Sequence, residues 1–210
     1  MNYLAHMFLS GDDEEVMLGN FIGDYVKGHN FRNYSDKVRK GIILHRNIDM
    51  FTDNNSIVRA SKSRFKEAYG KYSGILIDIL YDHFLALKWS IFTSKSLYEF
   101  VIHVHDTLKS FHDILPDEVK AFVPAFINND WLNTYKSIEG IEIVLDKMSK
   151  RTSLPDETRF AVQVFREEYD YIEEEFLAYF PTLMDFVTKK FGIEFSGRDI
   201  TNTQTGQHRI

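Results

Sequence analysis

Residues 72–92 read YSGILIDILYDHFLALKWSIF, and this stretch decides the fold. On a 3.6-residue period it is apolar on nearly every side, as expected of a helix enclosed by other helices. It is expected to be the central, most buried element. The sequence on either side keeps a helical period almost throughout, punctuated by only four prolines and eleven glycines. The expected class is therefore all-α, with a single helical domain over residues 1–195.

Upstream, DDEEVMLGNFIGDYVK (12–27) reads as a helix capped by Asp12 or Ser10 and ended by Gly28. Ser35 caps the next helix, which carries GIILHRNIDMFTD (41–53), and Asn54 or Asn55 caps SIVRASKSRFKEAY (56–69), which stops at Gly70. Downstream, helices are expected over 95–114, 117–128, 137–149 and 155–190, with Pro116 and Pro155 near their starts and Pro181 kinking the last. In that last helix Phe160, Phe165, Tyr169, Ile172 and Phe176 read as a packing stripe. The tail SGRDITNTQTGQHRI (196–210) is polar and aperiodic, so it is expected to be disordered.

Composition excludes several kinds of function. The hydrophobic and charged fractions, 44% and 27%, are those of an ordinary globular protein, and no apolar run reaches the roughly 20 residues a membrane-spanning helix needs. MNYLAHMFLSGDDEE, the N-terminus, lacks a basic region ahead of its short apolar stretch, so no signal peptide and a cytoplasmic location are expected. Cysteine is absent, which removes disulfides, thiol nucleophiles and thiolate metal ligands together. Any metal must be held by nitrogen and oxygen. A net charge of −6 argues against nucleic-acid binding. The charge is uneven, however: residues 27–71 hold eleven Lys or Arg against four acids, +7, leaving −13 elsewhere. That asymmetry suggests a basic face for an anionic partner.

The polar residues of the central stretch raise the question of chemistry. Asp78 and Asp82 stand four apart on one face, with His83 beside Asp82. Burying unpaired charge costs several kcal/mol, which a cation would offset. In 41–53, His45, Asp49 and Asp53 are also four apart, and Ile42 and Ile48 flank the His45 line, so this stripe enters the apolar surface. Asn20 and Asp24 repeat the spacing, and His6 lies in the N-terminal segment. Helices that point such groups into one space are the pattern of a metal-centred bundle. A competing constellation, HVHDTLKSFHD (103–113), contains His105–Asp106 and His112–Asp113, but Lys109 lies near the face they share, which reads as solvated surface. The chain has no GxSxG elbow, phosphate loop or dinucleotide fingerprint.

Four ordered segments, MNYLAHMFLSG (1–11), LGNFIGDYVKG (18–28), GIILHRNIDMFTD (41–53) and YGKYSGILIDILYDHFLALKW (69–89), together resemble the acyl carrier protein phosphodiesterases, a divergent branch of the HD-domain phosphohydrolases. The resemblance is close over residues 1–92, and helical character extends it to about 195. It implies an HD-domain-like bundle and a metal-dependent hydrolase, usually with manganese. The implied reaction cleaves the phosphodiester joining 4′-phosphopantetheine to a serine of acyl carrier protein. At matching positions it points to Asp24, His45, Arg46, Asp49, Asp82 and His83, the last two in the order Asp–His rather than the usual His–Asp. Acyl carrier protein is acidic, and the 27–71 region suits its docking.

The resulting expectation is a site for one or two divalent metals, with His6, Asp24, His45, Asp82 and His83 as ligands. Asp49 and Asp78 would orient ligands or move protons, and Arg46 would neutralise the phosphate. Two other readings stay open. One is an HD-like phosphohydrolase acting on a small phosphorylated metabolite or nucleotide. The other is a non-catalytic helical protein whose basic face binds an acidic partner.

Overall fold

The computed structural model describes residues 2–195, and among these every regular element is helical. The expected tail at 196–210 lies outside the described residues. Local chemistry sets most boundaries. Helix α1 (Tyr3–Phe8) begins where the Asn2 side chain accepts the Tyr3 N–H, and α2 (Glu14–Phe21) where Asp13 accepts from Glu15 and Val16. Ser35 caps α3 (Asp36–Asn54) by accepting from Val38, and Asn55 caps α4 (Ser56–Ser63). A single turn, α5 (Lys66–Tyr69), closes at Gly70, whose φ of +51° suits a residue without Cβ. Then come α6 (Ser73–Leu87), α7 (Trp89–Phe92) and α8 (Leu97–Ser110), the last opened by a capping box of Ser96 and Glu99. The chain ends in α9 (Asp117–Asn128), α10 (Trp131–Thr134), α11 (Ile138–Ser149), α12 (Thr158–Glu167) and α13 (Tyr169–Phe191).

Several expected boundaries move. The first expected helix is capped by Asp13, not Asp12 or Ser10, and it ends at Phe21, so Asp24 sits in the following turn instead of on the helix face. The 72–92 stretch breaks at Lys88. The 155–190 stretch is two helices meeting at Glu168, while Pro181 lies inside α13. Neither break has a glycine or proline to announce it.

Helix α6 is the core element that its sequence requires: Leu76, Ile77, Ile79, Leu80, Tyr81, Phe84 and Leu85 are all buried. One face of α13, with Ile172, Phe176, Tyr179, Phe180 and Val187, is buried, and the Phe176 ring meets Tyr81 of α6 edge-on at 5.4 Å. Arg64 ties α13 to the end of α4 through a two-pronged bond to Glu175, 2.8 and 3.0 Å, and a 3.0 Å bond to Glu168. Helices α2 and α3 cross at main-chain contact. A Cβ on Gly19 would stand 2.0 Å from the Val38 carbonyl oxygen, and one on Gly41 would stand 2.1 Å from that of Val16. No helix among the described residues is long and apolar enough to cross a membrane.

Candidate functional site

The α2–α3 crossing places Asn20 on α2 beside His45 on α3, and α1 brings His6 to the same point. All three side chains are buried. The Asn20 amide donates to the His6 carbonyl oxygen at 2.7 Å and to Ser10 Oγ at 2.9 Å, which fixes its flip and leaves Oδ1 as an acceptor. His6 Nδ1 donates to that oxygen at 2.7 Å, and His45 Nδ1 donates to the Asn20 main-chain carbonyl at 2.8 Å. One residue thus sets the tautomer of both histidines, so each Nε2 presents a lone pair when neutral.

Both lone pairs face the same space. The imidazole rings stack at 4.1 Å with 20° between planes. Asp49 sits one turn after His45 on α3, with Oδ1 3.2 Å from His6 Nε2 and Oδ2 3.2 Å from His45 Nε2. Asp24, from the turn after α2, reaches His45 Nε2 at 3.2 Å. Even so, neither Nε2 makes a hydrogen bond of good geometry, although both are buried. His6, His45 and Asp49 offer ligand atoms within 4.8 Å of one another. Two imidazole nitrogens and a carboxylate on so short a radius fit a divalent cation of the Mn, Fe or Zn kind. An orphaned pair of buried ring nitrogens is what such a cation would satisfy.

Electrostatics agree with that geometry. Burial works against charge on His45, but its contacts with Asp24 and Asp49 outweigh burial and raise its pKa to about 9. His6 is lowered, first by burial and then by the neighbouring His45 charge. Asp49 is held well below the carboxylate range because its contacts with His45 and His6 overcome burial, and Asp24 is lowered chiefly by its contact with the His45 ring. Gly23 in the connecting turn makes the approach possible, since a Cβ there would lie 2.3 Å from His45 Cγ.

Among the remaining expected site residues, Asp82, His83 and Arg46 make other contacts. Asp82 is fully buried and caps α1: Oδ2 accepts the Leu4 N–H at 2.8 Å and Oδ1 the Ala5 N–H at 3.1 Å. Burial pushes its carboxyl up to about 8 even though both donors favour the charged form. His83 donates from Nδ1 to the Tyr135 carbonyl at 2.6 Å, with Nε2 3.0 Å from the Tyr169 hydroxyl, so neither ring nitrogen is left for a metal. Arg46 donates to the Val26 carbonyl at 2.7 Å and lies over the Phe31 ring at 5.2 Å, pinning the 22–34 connection to α3. In the competing stretch Asp106 is exposed and pairs with Lys109, while His112 and Asp113 are also exposed.

Two cavities open at the cluster. The first, about 210 Å³, has His6, Asn20 and His45 in its wall beside Tyr3, Phe21, Trp131 and Met148. The second, about 400 Å³, has Asp49, Thr52, Asp53, Lys62, Lys71 and the first turn of α6 in its wall. Asp24, Ile75 and Asp78 line both. Trp131, Met148 and Tyr3 were not anticipated, because each comes from a short or remote element with no polar pattern to mark it.

A model of the acyl carrier protein phosphodiesterase family matches residues 1–183. An acyl carrier protein phosphodiesterase of Salmonella dublin is 32% identical over 198 residues, covering 90% of this chain and 99% of the relative. One of Enterobacter sp. strain 638 is 32% identical over 188 residues, covering 88% and 96%. No solved structure matches the chain.

Proposed function

The chain belongs to the acyl carrier protein phosphodiesterase family and is a phosphodiesterase, and from that premise we propose that it hydrolyses the diester linking 4′-phosphopantetheine to the serine of holo-acyl carrier protein, releasing the apo form. The observation that carries the metal-dependent part of this reading is the pair of buried histidines whose Nδ1 atoms are both fixed by Asn20 and whose orphaned Nε2 atoms converge on Asp49. His6, His45 and Asp49 would hold one divalent cation, manganese in keeping with the resemblance, with Asp24 closing the set from the solvent side. Bound there, the cation supplies positive charge to a diester oxygen and acidity to a water.

Everything else falls to the chain's own residues. Asn20 keeps both imidazoles in the ligating tautomer. Asp82 fixes the N-terminus of α1 and so the position of His6, two residues on from Leu4. Asp78, on the wall common to both cavities, takes the proton of the attacking water. Docking of the acidic carrier on the basic 27–71 region would use fewer cations than composition suggests. Lys37 is paired with Asp13, Arg39 with Asp36, Lys62 with Asp53 and Arg64 with Glu175. Lys62 and Lys71, at the second cavity, are the ones next to the cluster.

The test is conversion of purified holo-acyl carrier protein to its apo form with metal-stripped enzyme, before and after adding Mn²⁺. Release that needs the added ion is expected. Full turnover after verified metal removal would end the metal reading, and no release with any divalent ion would end the substrate reading.

A further inference from the structure

The two cavities differ in chemistry, and their shared wall gives the substrate a direction. On the reading above, the substrate is a phosphate with two unlike arms. One is a neutral, flexible amide chain ending in a thiol, and the other is a serine on an acidic protein. Beyond the cluster residues His6, Asn20 and His45 and the carboxylates Asp24 and Asp78, the first cavity is walled by Tyr3, Phe21, Ile75, Trp131 and Met148, with Asn2 as an amide partner. The second is polar, and its cations are Lys62 and Lys71. Lys62 Nζ lies 2.7 Å from Asp53, and Lys71 lies over the Tyr72 ring at 5.0 Å. The first turn of α6, with Ser73 and Gly74, lines the same space and has no side-chain cap.

We propose that the phosphopantetheine arm lies in the apolar cavity against Trp131 and Met148, while the carrier protein's serine enters through the lysine-lined cavity, so that the diester straddles the wall formed by Asp24, Ile75 and Asp78. This assignment rests on the holo-to-apo reading. His6 and His45 line the first cavity and Asp49 the second, so a phosphorus at the wall is within reach of the cluster with one arm on each side. The reverse orientation would put a neutral arm among four carboxylates and two lysines and drive an acidic protein surface toward aromatic rings. Both placements desolvate a charge without a partner. The proposed one sets the neutral arm against Tyr3, Phe21, Trp131 and Met148 and brings the acidic protein to the side that holds both lysines, Lys62 and Lys71, which stand there beside Asp49 and Asp53.

Steady-state kinetics on two substrates test it: holo-acyl carrier protein, and a short neutral peptide bearing phosphopantetheinyl-serine. Met148→Trp, at a half-buried position where added bulk narrows the apolar cavity, should lower kcat/KM about tenfold on both substrates, chiefly through KM. Met148→Glu, which adds charge with little bulk, should do the same. The double variant Lys62→Ala/Lys71→Ala should lower kcat/KM at least about fivefold more on the protein than on the peptide, and should flatten the salt dependence of the protein reaction. All variants must melt near the parent. A lysine variant that impairs both substrates equally, or Met148 variants that impair only the protein, would overturn the orientation while the wild type still makes apo protein. A wild type that releases no apo protein would instead remove the functional reading on which the orientation rests.

Discussion

Asp82 is where two uses of a buried carboxylate can be told apart, because a latch and a ligand fail differently. In Asp82→Ala the N–H groups of Leu4 and Ala5, both fully buried, lose their acceptors. A lost N-cap costs about 0.5–2 kcal/mol, and each orphaned buried donor about 1–3 kcal/mol. These overlap, so about 3 kcal/mol is the expected total. For a domain of this size, about 2–4 °C of Tm per kcal/mol gives a fall of roughly 6–12 °C. Activity should fall with it, since α1 carries His6. Asp82→Asn keeps one acceptor oxygen and should lose about 1 kcal/mol, or roughly 2–4 °C, with metal affinity near the parent's. Differential scanning calorimetry and Mn²⁺ titration of the two variants measure both quantities. A ligand role predicts the opposite pattern for Asn: a melting curve like the parent's in the metal-free state and Mn²⁺ affinity down by 10–100-fold or more. That result would refute the latch.

Three further outcomes follow from the same geometry. Gly23→Ala should keep its helical spectrum yet lose most activity and metal binding, because the new methyl would stand 2.3 Å from His45 Cγ and must displace the ring; an active, metal-binding Gly23→Ala would show that the turn yields instead. His45→Ala and His6→Ala should each lower hydrolysis more than about a hundredfold, while Asp106→Ala, which removes only an exposed partner of Lys109, should stay within about 0.5 kcal/mol of parent stability and keep its rate. Arg46→Ala should destabilise the chain by about 1–2 kcal/mol through the lost bond to Val26 and the lost Phe31 contact, with kcat in the folded enzyme nearly unchanged; a large loss of kcat at unchanged Tm would return Arg46 to the phosphate.

How far the sequence could be read depended on whether a signal was local. The burial of α6 was legible because its residues are apolar all round, and Ser35 and Asn55 marked helix starts because capping is a contact within one turn. His45 and Asp49 were legible as a pair because i, i+4 spacing puts them on one face. The sequence could show that Asp82 must be buried but not what compensates it. Its partners are the N–H groups of α1, a six-residue helix too short to display a period. The contacts of Arg46 with Val26 and Phe31 were not legible, because the connection from 22 to 34, with no pattern of its own, folds back and takes up the guanidinium. Asp24 was read onto a helix that stops three residues earlier, and its approach to His45 depends on a turn that only Gly23 permits.

The glycine crossing of α2 and α3 also bears on the thermodynamics of loading the site. Gly19 and Gly41 press main chain on main chain, so no rotamer can relax to change the spacing between Asn20 and His45. Two of the groups that define the cation's seat are therefore held by a contact that exists before any ion arrives. Ion binding to such a seat has little chain left to order. Its calorimetric signature should be a small heat-capacity change, unlike that of small metal-folded domains in which binding and burial of apolar surface are one event.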